Sequence, residues 1–408
     1  MEFYHHTLPN GIRLIHRPAD NHVSHAGIII NTGSRDEADN EYGMAHFIEH
    51  VIFKGTTHRK VYHVLSRLEN VGADLNAFTT KEETCIYASF LNSYYDRTLE
   101  LIKDITFNST FPEKELEKEK DVIYDEINSY KDSPSEEIFD DFEEQVFAGH
   151  PIGKNILGSP KNIRKFSKRD VLKFMGNNYH TDQMVICSVG KINFKKLLRL
   201  VEKYFSDIAP NLREAKREKF TEYRATQRQI RKKTFQNHCL IGNVAYSILD
   251  EKSTSFALLN NVLGGPGLNS RLNLGIREKY GYAYNLESNY SPYSDTGIFS
   301  IYIGTENGYL ERSVELIHKE LNKLRNTSLG ILQLKRAKQQ LMGQLAIANE
   351  ANLSKMFHIS RSLLLKDKAE SLDEIYTSIE AVTAEDLQEI ANEIFAPEKL
   401  STLVYKAK

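Results

Sequence analysis

The sequence predicts an α+β protein of two homologous domains, each an antiparallel-rich sheet with helices packed on one face. Three observations carry this. The chain has 408 residues, more than one ordinary core holds, so two domains of about 200 residues follow. Short β-prone runs come in pairs and are followed by pairs of longer amphipathic patterns, the order of an α+β chain. The pattern also repeats. Arg169-Asp170-Val171, an amphipathic run to Tyr179 and the apolar run Met184-Val185-Ile186-Cys187 return about 216 positions later as Glu385-Asp386-Leu387, Ile394-Phe395 and the run 400–405. Leu99-Glu100-Leu101-Ile102 and Val314-Glu315-Leu316-Ile317 stand 215 positions apart.

Taken in chain order, the first copy has strands at 12–16, 26–32, 84–90 and 184–189, where β-branched and apolar residues run together. Helical periodicity marks 40–55, 59–71, 93–107, 113–131, 134–147 and 168–179. The second copy has strands at 239–245, 284–290, 297–304 and 401–405, with helices at 252–263, 308–325, 330–348 and 372–395. Between the copies, 209–233 is charged, poor in large apolar residues and holds Pro210, so it reads as a solvated linker running into the second copy. The expected domains are therefore 1–212 and 234–408, joined by a linker at 213–233.

Composition narrows the function classes. Hydrophobic residues make up 40% and charged residues 26%, ordinary for a globular protein and unlike a disordered one. Fifty-three Lys and Arg against 55 Asp and Glu leave a net charge of −2, no field for gripping nucleic acid or anionic lipid. No window approaches the roughly 18 apolar residues of a membrane span. The first residues lack the basic and apolar segments of a secretory signal. Cys85, Cys187 and Cys239 are too few and scattered for a disulfide framework or thiolate metal site, and the first two sit in apolar runs as small core residues. The expectation is a cytoplasmic protein with neither nucleic acid nor membrane as partner.

The chemical signal lies in Gly43-Met44-Ala45-His46-Phe47-Ile48-Glu49-His50-Val51-Ile52-Phe53-Lys54-Gly55-Thr56. Met44, Phe47, Ile48, Val51 and Ile52 form a helical stripe, and His46, Glu49 and His50 fall on the opposite face. Histidines at i and i+4 stand one above the other, the separation that chelates zinc. Glu49 shares their face, where it can take a proton from an activated water. Catalytic zinc usually has three protein ligands. On the helix 113–130, Glu119 and Glu126 lie at the edge of the stripe of Leu116, Ile123, Ile127 and Tyr130, where partial burial calls for a compensating cation. Periodicity alone also leaves open a pair of ion-paired interfacial glutamates. His5, His6, His22, His25, His58 and His63 fall in loops or on polar faces and read as structural.

These segments, with Gly72-Ala73-Asp74-Leu75-Asn76-Ala77-Phe78-Thr79, His150-Pro151-Ile152-Gly153 and Leu157-Gly158, resemble the inverted-motif zinc peptidases, the family of pitrilysin, insulin-degrading enzyme and mitochondrial processing peptidase. The resemblance runs along essentially the whole chain and looks like the short bacterial form. It implies that the third ligand, about 75 residues after the second histidine, is Glu126, 76 positions after His50. Glu119 then orients or assists the site. It implies one zinc per chain and an edge strand carrying Asn76 and Ala77 that binds substrate backbone. In the second copy, where the zinc helix would recur, Phe256-Ala257-Leu258-Leu259-Asn260-Asn261-Val262-Leu263 offers no ligands. Arg277 and Tyr284, seven positions apart, match the family's pair that stabilises the substrate carbonyl and oxyanion. From the residues alone they are a surface charge and a strand residue. The implied activity is a zinc endopeptidase hydrolysing unfolded peptides or presequence-like segments inside a closed dimeric chamber. A homodimer is the simplest assembly, with a heterodimer as the alternative. The rival reading is a non-catalytic or partner-dependent subunit of a heterodimeric peptidase. Such subunits lack part of the zinc motif or the Arg/Tyr pair, and this chain carries both.

Overall fold

The computed structural model describes residues 3–408, so Met1 and Glu2, the start of the expected first domain, lie outside the described residues. Apolar and β-branched runs form the strands. In the first half these are β1 (Tyr4–Thr7), β2 (Arg13–Pro18), β3 (Val23–Ile30), β4 (Asp74–Thr79), β5 (Thr84–Leu91) and β6 (Met184–Gly190). The second half has β7 (Gln227–Lys232), β8 (Asn237–Ala245), β9 (Asn285–Pro292), β10 (Gly297–Thr305) and β11 (Ser401–Ala407). One sheet runs β1-β2-β6-β3-β5-β4 and the other β7-β11-β8-β10-β9. Raising each number in β2-β6-β3-β5-β4 by five gives the second order. The one parallel pair also recurs, β2 with β6 and β7 with β11, among otherwise antiparallel neighbours. Strand topology therefore displays the duplication independently of side chains.

Packing divides the chain into two units that are discontinuous in sequence. One holds the chain up to Ile127 with Lys154–Arg217 and Ala348–Ser371; the other holds Asn128–Gly153, Glu218–Ile347 and Leu372–Lys408. This differs from the contiguous division at 213–233, and strand periodicity explains why. Successive side chains leave a strand on opposite faces, so a sheet of apolar strands needs cover on both. In the first unit Leu14, Ile28, Ile86 and Ile186 face the large core beneath Phe47, Ile48, Leu99, Ile102 and Ile123. Their neighbours Ile15, Ile29, Cys85 and Cys187 face the other way, onto Met356, Ile359 and Leu364 of the helix Asn352–Lys366. The second unit repeats the device: Leu240, Ile298, Tyr302 and Leu403 are covered by Ile138, Phe142 and Val146 of the helix Pro134–Val146. The predicted class stands, and each sheet carries one helix borrowed from the other half of the sequence on its second face.

The linker departs from a free solvated tether. Arg213 and Arg217 pair with Asp36 at 3.0 and 2.7 Å, and Arg217 also donates to the carbonyls of Asn31 and Glu82. Bidentate guanidinium–carboxylate geometry fixes these charges against the first unit. Further on, Phe220 and Tyr223 pack into the second unit's core before β7 begins. The expected helix 372–395 is two helices, Leu372–Ala381 and Ala384–Ile394, because Thr383 and Asp386 form a capping box that starts a new one. The helices Phe194–Phe205 and Asn352–Lys366 were not anticipated, nor was the π-helical turn Asn273–Glu278. All three cysteines are free and buried.

Phe142 is 1% exposed in the borrowed helix of the second unit. Phe142→Ala should lower stability by about 3–5 kcal/mol, the usual cost of emptying a buried aromatic position. Urea unfolding followed by circular dichroism checks this, and a loss under about 1 kcal/mol would mean that the helix contributes little cover.

Candidate metal centre

The helix Met44–Val51 is two turns long and cannot hold itself. Met44, Phe47, Ile48 and Val51 are fully buried and lock its roll. Its N-terminus follows Gly43, at φ +97°, a left-handed conformation that favours glycine. A Cβ on Gly158 would lie 2.4 Å from the Cα of Gly43, so the two glycines allow the backbones to touch. The buried Glu37 carboxylate accepts from the Gly43 and Ala45 N–H groups at 2.9 and 2.8 Å. Burial pushes that carboxyl group's pKa well up, against the two N–H groups that pull it down.

With the roll fixed, His46 and His50 face the helix Glu113–Lys131, their rings 4.7 Å apart. Glu126 Oε2 lies 3.6 Å from His46 Nε2 and 3.4 Å from His50 Nε2. The three ligand atoms lie within 4.8 Å of one another, the one group of its kind among the described residues. Ligands of tetrahedral zinc, at about 2.0–2.1 Å from the ion, stand about 3.3–3.4 Å from one another. The set fits zinc in donor type and in spacing. Burial, with His50 nearby, pulls His46 down to about 4, so its imidazole is neutral at pH 7 and its lone pair is available.

Glu119 meets the site from behind. Its carboxylate lies 3.3 Å from His50 Nδ1 and pairs with Lys54 Nζ at 2.7 Å. This is the carboxylate–histidine relay that fixes a ligand's tautomer and leaves Nε2 for the metal. It also meets the ion-paired reading of Glu119, since both relations hold at once. Glu49 sits half-buried beside the cluster, close to Thr79 at the end of β4. Burial raises its pKa, with the nearby Glu126 adding, while Thr79 and His50 act the other way.

Asn76 and Ala77 lie on β4, the outer strand of the first sheet, with Asn76 exposed and bonded to the Ala77 N–H. Arg277 and Tyr284 belong to the second unit. The guanidinium of Arg277 lies over the Tyr284 ring, 5.1 Å from its centroid, and Tyr284 is 77% exposed. Three contributors escaped sequence reading. Lys54 follows His50 by one helical turn, a spacing that could have flagged it. Thr79 and Glu37 carry no such signal, because Glu37 caps across a loop and not from the N-cap position.

Glu119→Gln keeps the shape but weakens the hold on His50. Zinc affinity should fall about 10–100-fold, measured by competition with a chromophoric chelator. Unchanged affinity would leave Glu119 a purely structural partner of Lys54.

Comparison with known proteins supplies the remaining findings. Residues 14–160 match the model of the insulinase family, peptidase family M16, and residues 165–341 match that of the peptidase M16 inactive domain. The chain is 33% identical to an uncharacterized zinc protease, YmxG, of Bacillus subtilis, over 98% of this chain and 97% of that one. It is 30% identical to a probable mitochondrial-processing peptidase subunit beta of Schizosaccharomyces pombe, over 95% and 88%. Its fold matches the crystal structure of a protease from Helicobacter pylori with a TM-score of 0.92 at 21% identity, over 99% of each chain.

Proposed function

The chain belongs to the insulinase family, peptidase family M16, and from that premise we propose that it is a zinc endopeptidase cutting unfolded peptides or presequence-like segments. One observation carries the reading: His46, His50 and Glu126 converge on one point, and a separate carboxylate, Glu49, stands beside them. When bound, zinc supplies Lewis-acid activation of water and of the scissile carbonyl. The chain's own residues do the rest. Glu49, its pKa raised by burial, takes a proton from the attacking water and passes it to the leaving nitrogen. Thr79 lies close to that carboxylate and favours its charged form, and the Lys54–Glu119 pair holds the His50 ring in register.

As an edge strand, β4 offers unpaired backbone groups to an extended peptide, which joins it as an added strand past Asn76 and Ala77. Arg277 and Tyr284 take the role of donors to the substrate carbonyl and the developing oxyanion, for which a guanidinium and a phenol are suited. Two chains, each with its own metal set, form a homodimer whose closed chamber admits flexible peptides and excludes folded proteins. Three free thiols support a reducing compartment, the cytoplasm, and no described helix is long and apolar enough to cross a membrane.

Base and ligand roles separate by mutation. Glu126→Gln should lose zinc, whereas Glu49→Gln should keep it and lose hydrolysis of a quenched peptide by about 10²-fold or more. Wild-type turnover in the Glu49 variant would place the base elsewhere.

The second half is tested by Tyr284→Phe, which removes one donor. Its kcat should drop by roughly 10²-fold with zinc content and thermal midpoint unchanged. Full turnover would reduce the second half to a scaffold.

A further inference from the structure

Away from the metal centre, the first unit holds a cavity of about 420 Å³ lined by His58, Arg59, His63, Ser66, Arg67, Asn70 and Arg97. No carboxylate lines it. His63, Ser66, Arg67 and Asn70 follow one another at i, i+3, i+4 and i+7, a polar stripe on the helix Val61–Glu69 and its cap, opposite the buried Val64 and Leu68. His58 and Arg59 come from the turn before that helix, and Arg97 comes from the helix Tyr95–Phe107 packed beside it.

The local acids are already engaged behind this lining. Asp104 is buried and accepts from Thr56, His58, Arg59 and Asn108 at 2.6–3.0 Å. Glu100 pairs with Arg59 at 2.7 Å and with Arg67 at 3.2 Å. Two carboxylates thus face three guanidinium groups and two imidazoles. Arg97 has no carboxylate partner among the described residues: it donates to the Arg67 carbonyl at 3.3 Å and lies over the Tyr94 ring. Arg97 thus keeps donors that no described residue takes up, and a pocket with surplus positive charge and no acid in its lining calls for an acceptor-rich anion.

We propose that this cavity is an oxyanion-binding site that takes phosphate, free or as a phosphate monoester. A tetrahedral dianion supplies the acceptors that Arg97 lacks, and the forked guanidinium matches its oxygens. Ser66 and Asn70 offer a hydroxyl and an amide to the same oxygens. The site is independent of peptide hydrolysis, since neither the metal ligands nor Glu49 take part.

Titration calorimetry of the zinc-loaded protein with inorganic phosphate, adenosine monophosphate and sulfate, at constant ionic strength in chloride, tests it. Saturable binding of phosphate or of the monoester is expected, and the tighter of the two identifies the source. Arg97→Gln should weaken it at least tenfold, and Asn70→Asp, which puts a negative charge in the lining, should do the same from another element. Both positions are solvent-accessible, so both variants should fold. No saturable binding up to about 10 mM of either ligand would overturn the site. Binding equally strong in both variants, or of sulfate and chloride alike, would also overturn it.

Discussion

A carboxylate shut away from water is costly, and the helix Met44–Val51 depends on one that is. Glu37 is 4% exposed and meets the first N–H groups of that helix, where the backbone is partially positive and otherwise lacks acceptors. Two backbone hydrogen bonds offset desolvation on one side and satisfy orphan donors on the other. Gly43 and Gly158 let the chain come close enough for this to happen. With its start pinned and its apolar stripe sunk in the core, an eight-residue helix has no freedom left to turn. The directions of His46, Glu49 and His50 follow from that.

Charges in the centre form a chain in which each group answers the next. Lys54 answers Glu119, and Glu119 answers the far nitrogen of His50. The near nitrogen of His46, which burial keeps uncharged at neutral pH, then offers its lone pair to the same point as the Glu126 oxygen, and Nε2 of His50 lies beside them. Lone pairs gathered on one point repel unless a cation sits among them. The arrangement is therefore preorganised for a cation. Glu49 stands outside that circle, half-buried near Thr79 at the end of β4.

Periodicity in the sequence carries much of this pattern. The stripe from Met44 to Ile52 assigned both the buried face and the chemical face, and the recurring segments exposed a duplication that strand order repeats pair for pair. The resemblance singled out Glu126 from the two candidate glutamates on its helix. What stayed hidden shares a cause: it depends on partners distant in sequence. Glu37, Thr79 and Lys54 matter for what they touch, not for any local pattern. The helix Asn352–Lys366 escaped notice because the sheet face that it covers lies more than 150 residues earlier. The break at Thr383 was local, but an unbroken amphipathic pattern on both sides masked the capping box. The linker's arginines look solvated in sequence because Asp36, the partner beneath them, lies about 180 residues earlier.

The borrowed helices bear on how such a chain can evolve. A duplicated gene usually leaves two modules that recombination can lift out and join to other proteins. Here each copy has given one helix to the other's sheet, so a fragment encoding only 1–212 would lack the residues that cover Ile15, Ile29 and Cys187. It would also carry Phe142 and Val146 with no sheet to receive them. Neither copy remains a self-sufficient inheritance. A second half without metal ligands thus survives as an obligatory part of the other's fold, and selection for folding alone preserves it wherever the first half is kept.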